Sequence, residues 1–284
     1  MSRSESRPEP QHPRGQTGFT LVESVIVIAI TGVLAAMVSL FIVAPVQAYL
    51  ATAARTKLVD EADLALRRIG RDLRIALPNS ARVTASGLSL ELIPSTGGAR
   101  YFTSGAGRLD FGSLDSSFDI MGPPLALGAA QQLVFYNLGP GVTGSDAYAT
   151  NASAAEQAQS NRRSASNAAG PASTITLTTL AGLPASNFSP PHRVTAVSAP
   201  VSYRCDLASG RLTRHSGYGF LATQPDPPVG GSADVLATGV TACRFSADGS
   251  LVAARAALVS LRLSLTANSE TVTLHHAVHT DNLP

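Results

Sequence analysis

The period of the apolar positions changes along the chain, and each change marks a different kind of element. Residues 1–18 have no apolar pattern: Arg3, Arg7 and Arg14 stand against Glu5 and Glu9 among prolines. From Val25 to Val46 most positions are Val, Ile, Leu, Ala, Met or Phe, and no charged residue occurs between Ser24 and Ala54. As a helix Val25–Val46 runs about 33 Å, enough to cross the hydrocarbon core of a bilayer. From Leu58 onward the apolar residues thin to three- and four-residue steps: Leu58, Ala62, Ala65, Leu66, Ile69, Leu73 and Leu77. That spacing predicts one apolar stripe on a helix. The opposite face is assigned Arg55, Lys57, Asp60, Glu61, Arg67, Arg68, Arg71 and Asp72, with i,i+4 pairs Asp63–Arg67 and Arg68–Asp72. Pro45 is expected to bend or loosen the long helix, and Pro78-Asn79 to end it.

Beyond Pro78 the period falls to two. Leu88, Leu90 and Leu92 alternate with polar residues, and Gly97-Gly98 reads as a turn before Ala99–Phe102. Gln132–Asn137, Ile175–Leu177 and Val201–Cys205 read as further strands. Val259, Leu261, Leu263 and Leu265 share one strand face, Ala267–Ser269 turns the chain, and Val272, Leu274 and Val278 answer from the returning strand. Residues 142–172 are rich in Ala, Ser, Asn and Gly without apolar periodicity, so they read as a long low-complexity loop or insertion. The predicted fold class is α+β. A long N-terminal helix, transmembrane over 19–47 and amphipathic over 48–78, packs on antiparallel sheet in a head at 79–284, in one lobe or two.

Composition narrows the function. A net charge of +2 with 14% charged residues offers no basic face for nucleic acid. Lys57 is the only lysine, so the head holds no catalytic or phosphate-binding lysine, and no nucleophile-elbow motif occurs. Arg67, Arg68, Arg71 and Arg74 read as a solvated helical face. His275, His276 and His279 on a strand point to alternating faces, a poor arrangement for a shared metal ion, and no metal or other cofactor is expected. Cys205 and Cys243 are too few and too far apart for a zinc site. Outside the cytoplasm they are expected to pair, closing a loop worth about 4 kcal/mol of chain entropy; in a reducing compartment they would be free thiols.

One residue fits none of this. Glu23 stands at the mouth of the apolar run, where a carboxylate costs around 2.5–3.5 kcal/mol on insertion scales unless paired. A cleavable signal peptide, with Ala51–Ala53 as the cut, would be too long in its apolar core. A plain signal anchor on a periplasmic enzyme or binding protein leaves Gly18 and Glu23 without a role. Gly18-Phe19-Thr20-Leu21-Val22-Glu23 resembles the processing site of type IV prepilins and pseudopilins. The resemblance implies a cytoplasmic leader (1–18) removed by a membrane-embedded prepilin peptidase. It cuts between Gly18 and Phe19 and methylates the new amine of Phe19. Glu23 then becomes the fifth mature residue and pairs with the N-terminal amine of a neighbouring subunit.

Several stretches are similar to one branch of that family, the O-type minor pilins of the mannose-sensitive haemagglutinin (MSHA) pilus. They are Arg71–Ser80, Gly98–Tyr101, Phe135–Gly141 with Asp146–Tyr148, Pro200–Cys205 and Ala277–Pro284. The leader is longer and richer in proline than is usual there. This resemblance implies a non-enzymatic minor pilin at or near a filament tip. Its partners would be the peptidase, other major and minor pilins, an inner-membrane assembly platform and membrane lipid. Before assembly it would sit in the inner membrane with its N-terminus inside and its head in the periplasm. A J-type pseudopilin of a type II secretion system, or another type IV minor pilin, has the same architecture.

Overall fold

The computed structural model describes residues 18–247, 256–281 and 283. The expected leader, apart from Gly18, lies outside these residues, as do Asn282 and Pro284 of the C-terminal stretch. The chain forms two compact units, residues 1–53 and 54–284.

In the first unit, α1 (Leu21–Val38) starts at Thr20 and is followed by a π-helical turn, Ser39–Val43, and then by α2 (Ala44–Arg74). The wide turn lies immediately before Pro45. A proline there lacks a donor and crowds the carbonyl of Phe41, and a widened turn absorbs both. No residue of α1 is buried.

In the second unit the rest of α2 carries the predicted stripe: Leu58, Ala62, Ala65, Leu66, Ile69 and Leu73 are all buried. The helix ends at Arg74, before the predicted Pro78-Asn79 stop. The reason is competition from a strand. Ile75 O accepts from Ser95 N (2.8 Å) and Ser95 Oγ (2.7 Å), and Leu77 N donates to Ile93 O (2.7 Å).

Two short strands follow, β1 (Arg82–Val83) and β2 (Ser89–Leu92). Next come β3 (Ser95–Tyr101), β4 (Ser117–Met121), β5 (Leu125–Leu127) and β6 (Gln132–Phe135). A short α3 (Ala154–Gln157) leads to β7 (Arg162–Ala165), β8 (Gly170–Ala172), β9 (Thr174–Thr178) and β10 (Arg193–Val197). The chain finishes with β11 (Val201–Asp206), β12 (Arg211–Ser216), β13 (Ser232–Thr238), β14 (Val240–Ala247), β15 (Ala256–Ala267) and β16 (Glu270–Asp281).

These strands make two lobes. A five-stranded sheet, β1-β2-β11-β12-β13, and a three-stranded sheet, β14-β15-β16, share a core with α2. Tyr203, Leu212, Phe245, Val259, Leu261 and Leu263 are buried in it with the helix stripe. The other lobe is a closed barrel, β10-β3-β4-β9-β7-β6, filled by Tyr101, Phe118, Phe135, Leu133, Ile175 and Val194. β2 and β11 are hydrogen-bonded neighbours, Leu92 opposite Val201, so the whole barrel is inserted between two adjacent strands of the first lobe.

Two sequence expectations need correction. Gly97 and Gly98 do not turn the chain; they lie inside β3. A Cβ on Gly97 would stand 3.1 Å from Leu125 Cδ1, so any larger residue would press on the Leu125 side chain of β5. Residues 142–172 are not a loop without structure: they hold α3, β7 and β8. Beside buried Ala147, Tyr148 and Ala165, many of the buried side chains here are polar. Ser160, Asn161 and Arg163 are fully covered, and the Arg163 guanidinium donates to carbonyls of Gln157 (2.7 Å), Ser160 (2.9 Å), Ala181 (3.1 Å) and Gly182 (3.1 Å). Five donors on one planar group organise the segment without apolar periodicity. Burial pushes the pKa of Arg162 and of Arg163 down to about 10.

Candidate functional site

The predicted processing segment is the start of the first unit. Gly18 and Phe19 precede the helix in non-helical backbone, and both are exposed, Phe19 by 75%. Thr20 is the N-cap, with extended backbone (φ −83, ψ 151), and its hydroxyl accepts from Glu23 N (3.2 Å). Thr-x-x-Glu is the sequence signature of a capping box, and Thr20 supplies its half of the pair. Glu23 therefore sits in the first turn, where the partial positive charge of the helix N-terminus favours a carboxylate. Among the described residues its side chain has no ion-pair partner. A Cβ on Gly18 would meet nothing within 4 Å, so this glycine is not imposed by packing within the chain.

Behind this segment the helix is apolar and uncovered. Leu21 is 81% exposed and Phe41 76%. By length and composition it is the one helix among the described residues suited to crossing a membrane.

The two cysteines lie elsewhere. Cys205 on β11 and Cys243 on β14 form a disulfide, with Cα atoms 6.3 Å apart, and it ties the five-stranded sheet to the three-stranded one. His275 and His279 are exposed on one face of β16, and His276 faces the other way, toward Gly70 of α2. Among the described residues no three His, Cys, Asp or Glu are grouped to hold a metal ion.

Two polar clusters escaped the sequence reading. Asp72, assigned to the polar face of the helix, is in fact buried. It accepts from Tyr203 Oη (2.6 Å) and Arg214 Nε (3.2 Å), while Arg68 stands 3.6 Å away. The signal was its place beside Ile69 and Leu73 in the buried stripe. Burial, and then the bond to Asp72, raise the Tyr203 pKa. On the other side of the five-stranded sheet, Glu91 is fully covered, ion-paired with Arg82 and bonded to Tyr218 Oη (2.7 Å). Burial raises its pKa against the opposing effect of Arg82. Arg82 also lies over the Tyr148 ring at 3.6 Å, and Arg162 over Phe220 at 3.9 Å. Aromatic faces that attract guanidinium groups thus join segments distant in sequence.

Residues 13–39 match the family described as "Prokaryotic N-terminal methylation motif". Neither the curated proteins nor the solved structures give a match. The chain therefore carries the N-terminal motif of type IV pilin-like precursors, which spans its exposed apolar helix, followed by an antiparallel β-sheet head.

Proposed function

We propose that this chain is a minor pilin of an MSHA-like type IV pilus, a structural and assembly subunit rather than an enzyme. The observation that carries the reading is the methylation motif over residues 13–39, coincident with a capped, uncovered apolar helix. In this reading residues 1–18 are a cytoplasmic leader. Prepilin peptidase hydrolyses the Gly18–Phe19 bond, and the amine it frees on Phe19 is methylated. The apolar half of the helix holds the chain in the inner membrane, head outward, until it enters the filament among other pilins on the assembly platform.

Glu23 has a physical reason to take part. Its carboxylate is unpaired within the described chain, and burial in lipid or in a helix bundle costs around 2.5–3.5 kcal/mol unless an opposite charge meets it. The methylated amine of a neighbouring subunit is such a charge. The MSHA assignment rests on the stretches Arg71–Ser80, Phe135–Gly141 and Pro200–Cys205. The structure places these at the end of α2, at the close of β6 and on β11.

Co-expression with a prepilin peptidase tests the processing. The native chain is expected to lose residues 1–18, and Gly18→Val, which crowds the scissile backbone, to keep them. Glu23→Ala is expected to be processed but excluded from filaments. A native chain that retains its leader would refute the proposal.

A further inference from the structure

The three-stranded sheet has one face turned to the helix core and one turned to solvent. Phe245, Val259, Leu261, Leu263, Val272 and Val278 point into the core. Alternation puts their neighbours outside, and the pairing register aligns three of those neighbours in a single row. Arg244 on β14 is directly opposite Arg262 on β15, and Arg262 is directly opposite His275 on β16. All three are exposed.

With strands roughly 4.8 Å apart, the row spans about 10 Å. Like charges directly opposite on neighbouring strands destabilise a sheet. Nothing within the described chain relieves that cost: none of the three side chains has an ion-pair or hydrogen-bond partner there. Arg244 is held in place nonetheless. A Cβ on Gly87, in the β1–β2 turn, would meet Arg244 Cγ at 3.5 Å and Cζ at 3.9 Å, so the side chain lies along that turn.

The flanking rows are small and hydroxylic. On one side the row is Ala242, Ser264 and Thr273, with Ser264 Oγ and Thr273 Oγ1 2.8 Å apart. On the other side it is Ser246, Ser260 and Ala277. At the outward positions of residues 242–246, 258–266 and 271–279 this face carries no Phe, Tyr or Trp and no carboxylate, and apart from Leu258 at one end no apolar side chain larger than alanine.

We infer that the outer face of β14-β15-β16 binds an acidic polysaccharide, whose carboxylate or phosphate groups are held by Arg244, Arg262 and His275. Arginine forks take such oxyanions in bidentate fashion, and the exposed Ser246 and Thr273 hydroxyls, with half-buried Ser260, offer hydrogen bonds to sugar hydroxyls. Single-stranded nucleic acid would want aromatic platforms for its bases, which this face lacks. A protein partner would want an apolar or aromatic centre, also lacking.

The test uses the full chain in detergent micelles over immobilised alginate, a polyuronate, with dextran as the neutral control. Alginate is expected to retain the protein and dextran not to. Added salt should weaken retention, and the double variant Arg244→Ser/Arg262→Ser should bind at least about tenfold more weakly. Ser260→Glu sets a carboxylate beside Arg262 without removing either arginine, and is expected to weaken binding too. Thermal melts and an intact disulfide verify that each variant is folded. No retention on alginate, or retention unchanged in folded Ser260→Glu, would overturn the inference. Equal or tighter binding to polyglutamate or a single-stranded oligonucleotide would overturn the polysaccharide assignment.

Discussion

Ile28 and Ile69 are the same side chain in α-helical backbone, yet Ile28 is 72% exposed and Ile69 is wholly covered. The difference runs through everything around them. α1 buries nothing, whereas α2 beyond Leu58 carries a continuous buried stripe against two sheets. Burying apolar surface is the main favourable term in folding, so the second stretch has its partner within the chain. The first stretch has the same chemistry, and none of its residues is buried. Its apolar surface is exposed among the described residues, and the methylation motif, residues 13–39, runs along it. One segment stabilises a fold, and the other is left available for something outside it.

The sharpest way to break this comparison is to truncate both isoleucines. Ile69→Ala is expected to destabilise the head by about 4 kcal/mol, the range for emptying a fully packed site. Ile28→Ala should leave the thermal unfolding of the head where it was. Equal losses in the two melts would contradict this comparison.

A smaller effect is expected at Asp72, the polar member of the buried stripe. Asp72→Asn keeps the shape but removes the charge met by Arg214, Arg68 and Tyr203, at about 2 kcal/mol. Denaturant unfolding measures it, and a neutral result would show that the helix is held by its apolar face alone.

The smallest concerns Glu91, whose carboxyl pKa burial raises. The folded chain then keeps that proton to higher pH than the unfolded chain. The contribution to stability is present below the unfolded pKa of about 4.3 and is lost as pH rises through the raised folded value. Melting temperature followed across this window should show the slope, and Glu91→Gln should flatten it.

Much of this was legible in the residues. The apolar run, the helical stripe and the β15–β16 hairpin all follow from periodicity, because in each the apolar side chains recur at regular steps. What escaped had polar side chains inside. Arg163, Asn161 and Ser160 order residues 142–172 by hydrogen bonds, and no hydrophobic pattern announces them. Asp72 and Glu91 read as surface charges until their partners, brought from distant strands, are seen. The barrel was hidden for a related reason: nothing local shows that β2 and β11 pair across everything between them. The processing segment was the reverse case. Gly18, Phe19 and Glu23 are conspicuous in the sequence, while the fold gives them only a cap and an exposed first turn.

The central claim is that the uncovered helix belongs to a processed filament subunit. Mass spectrometry of filaments sheared from cells measures this most directly, by searching for the N-terminal peptide of the chain. The account predicts a peptide beginning at N-methylated Phe19 in the filament fraction. Recovery from membranes alone, with residues 1–18 still attached, would contradict it.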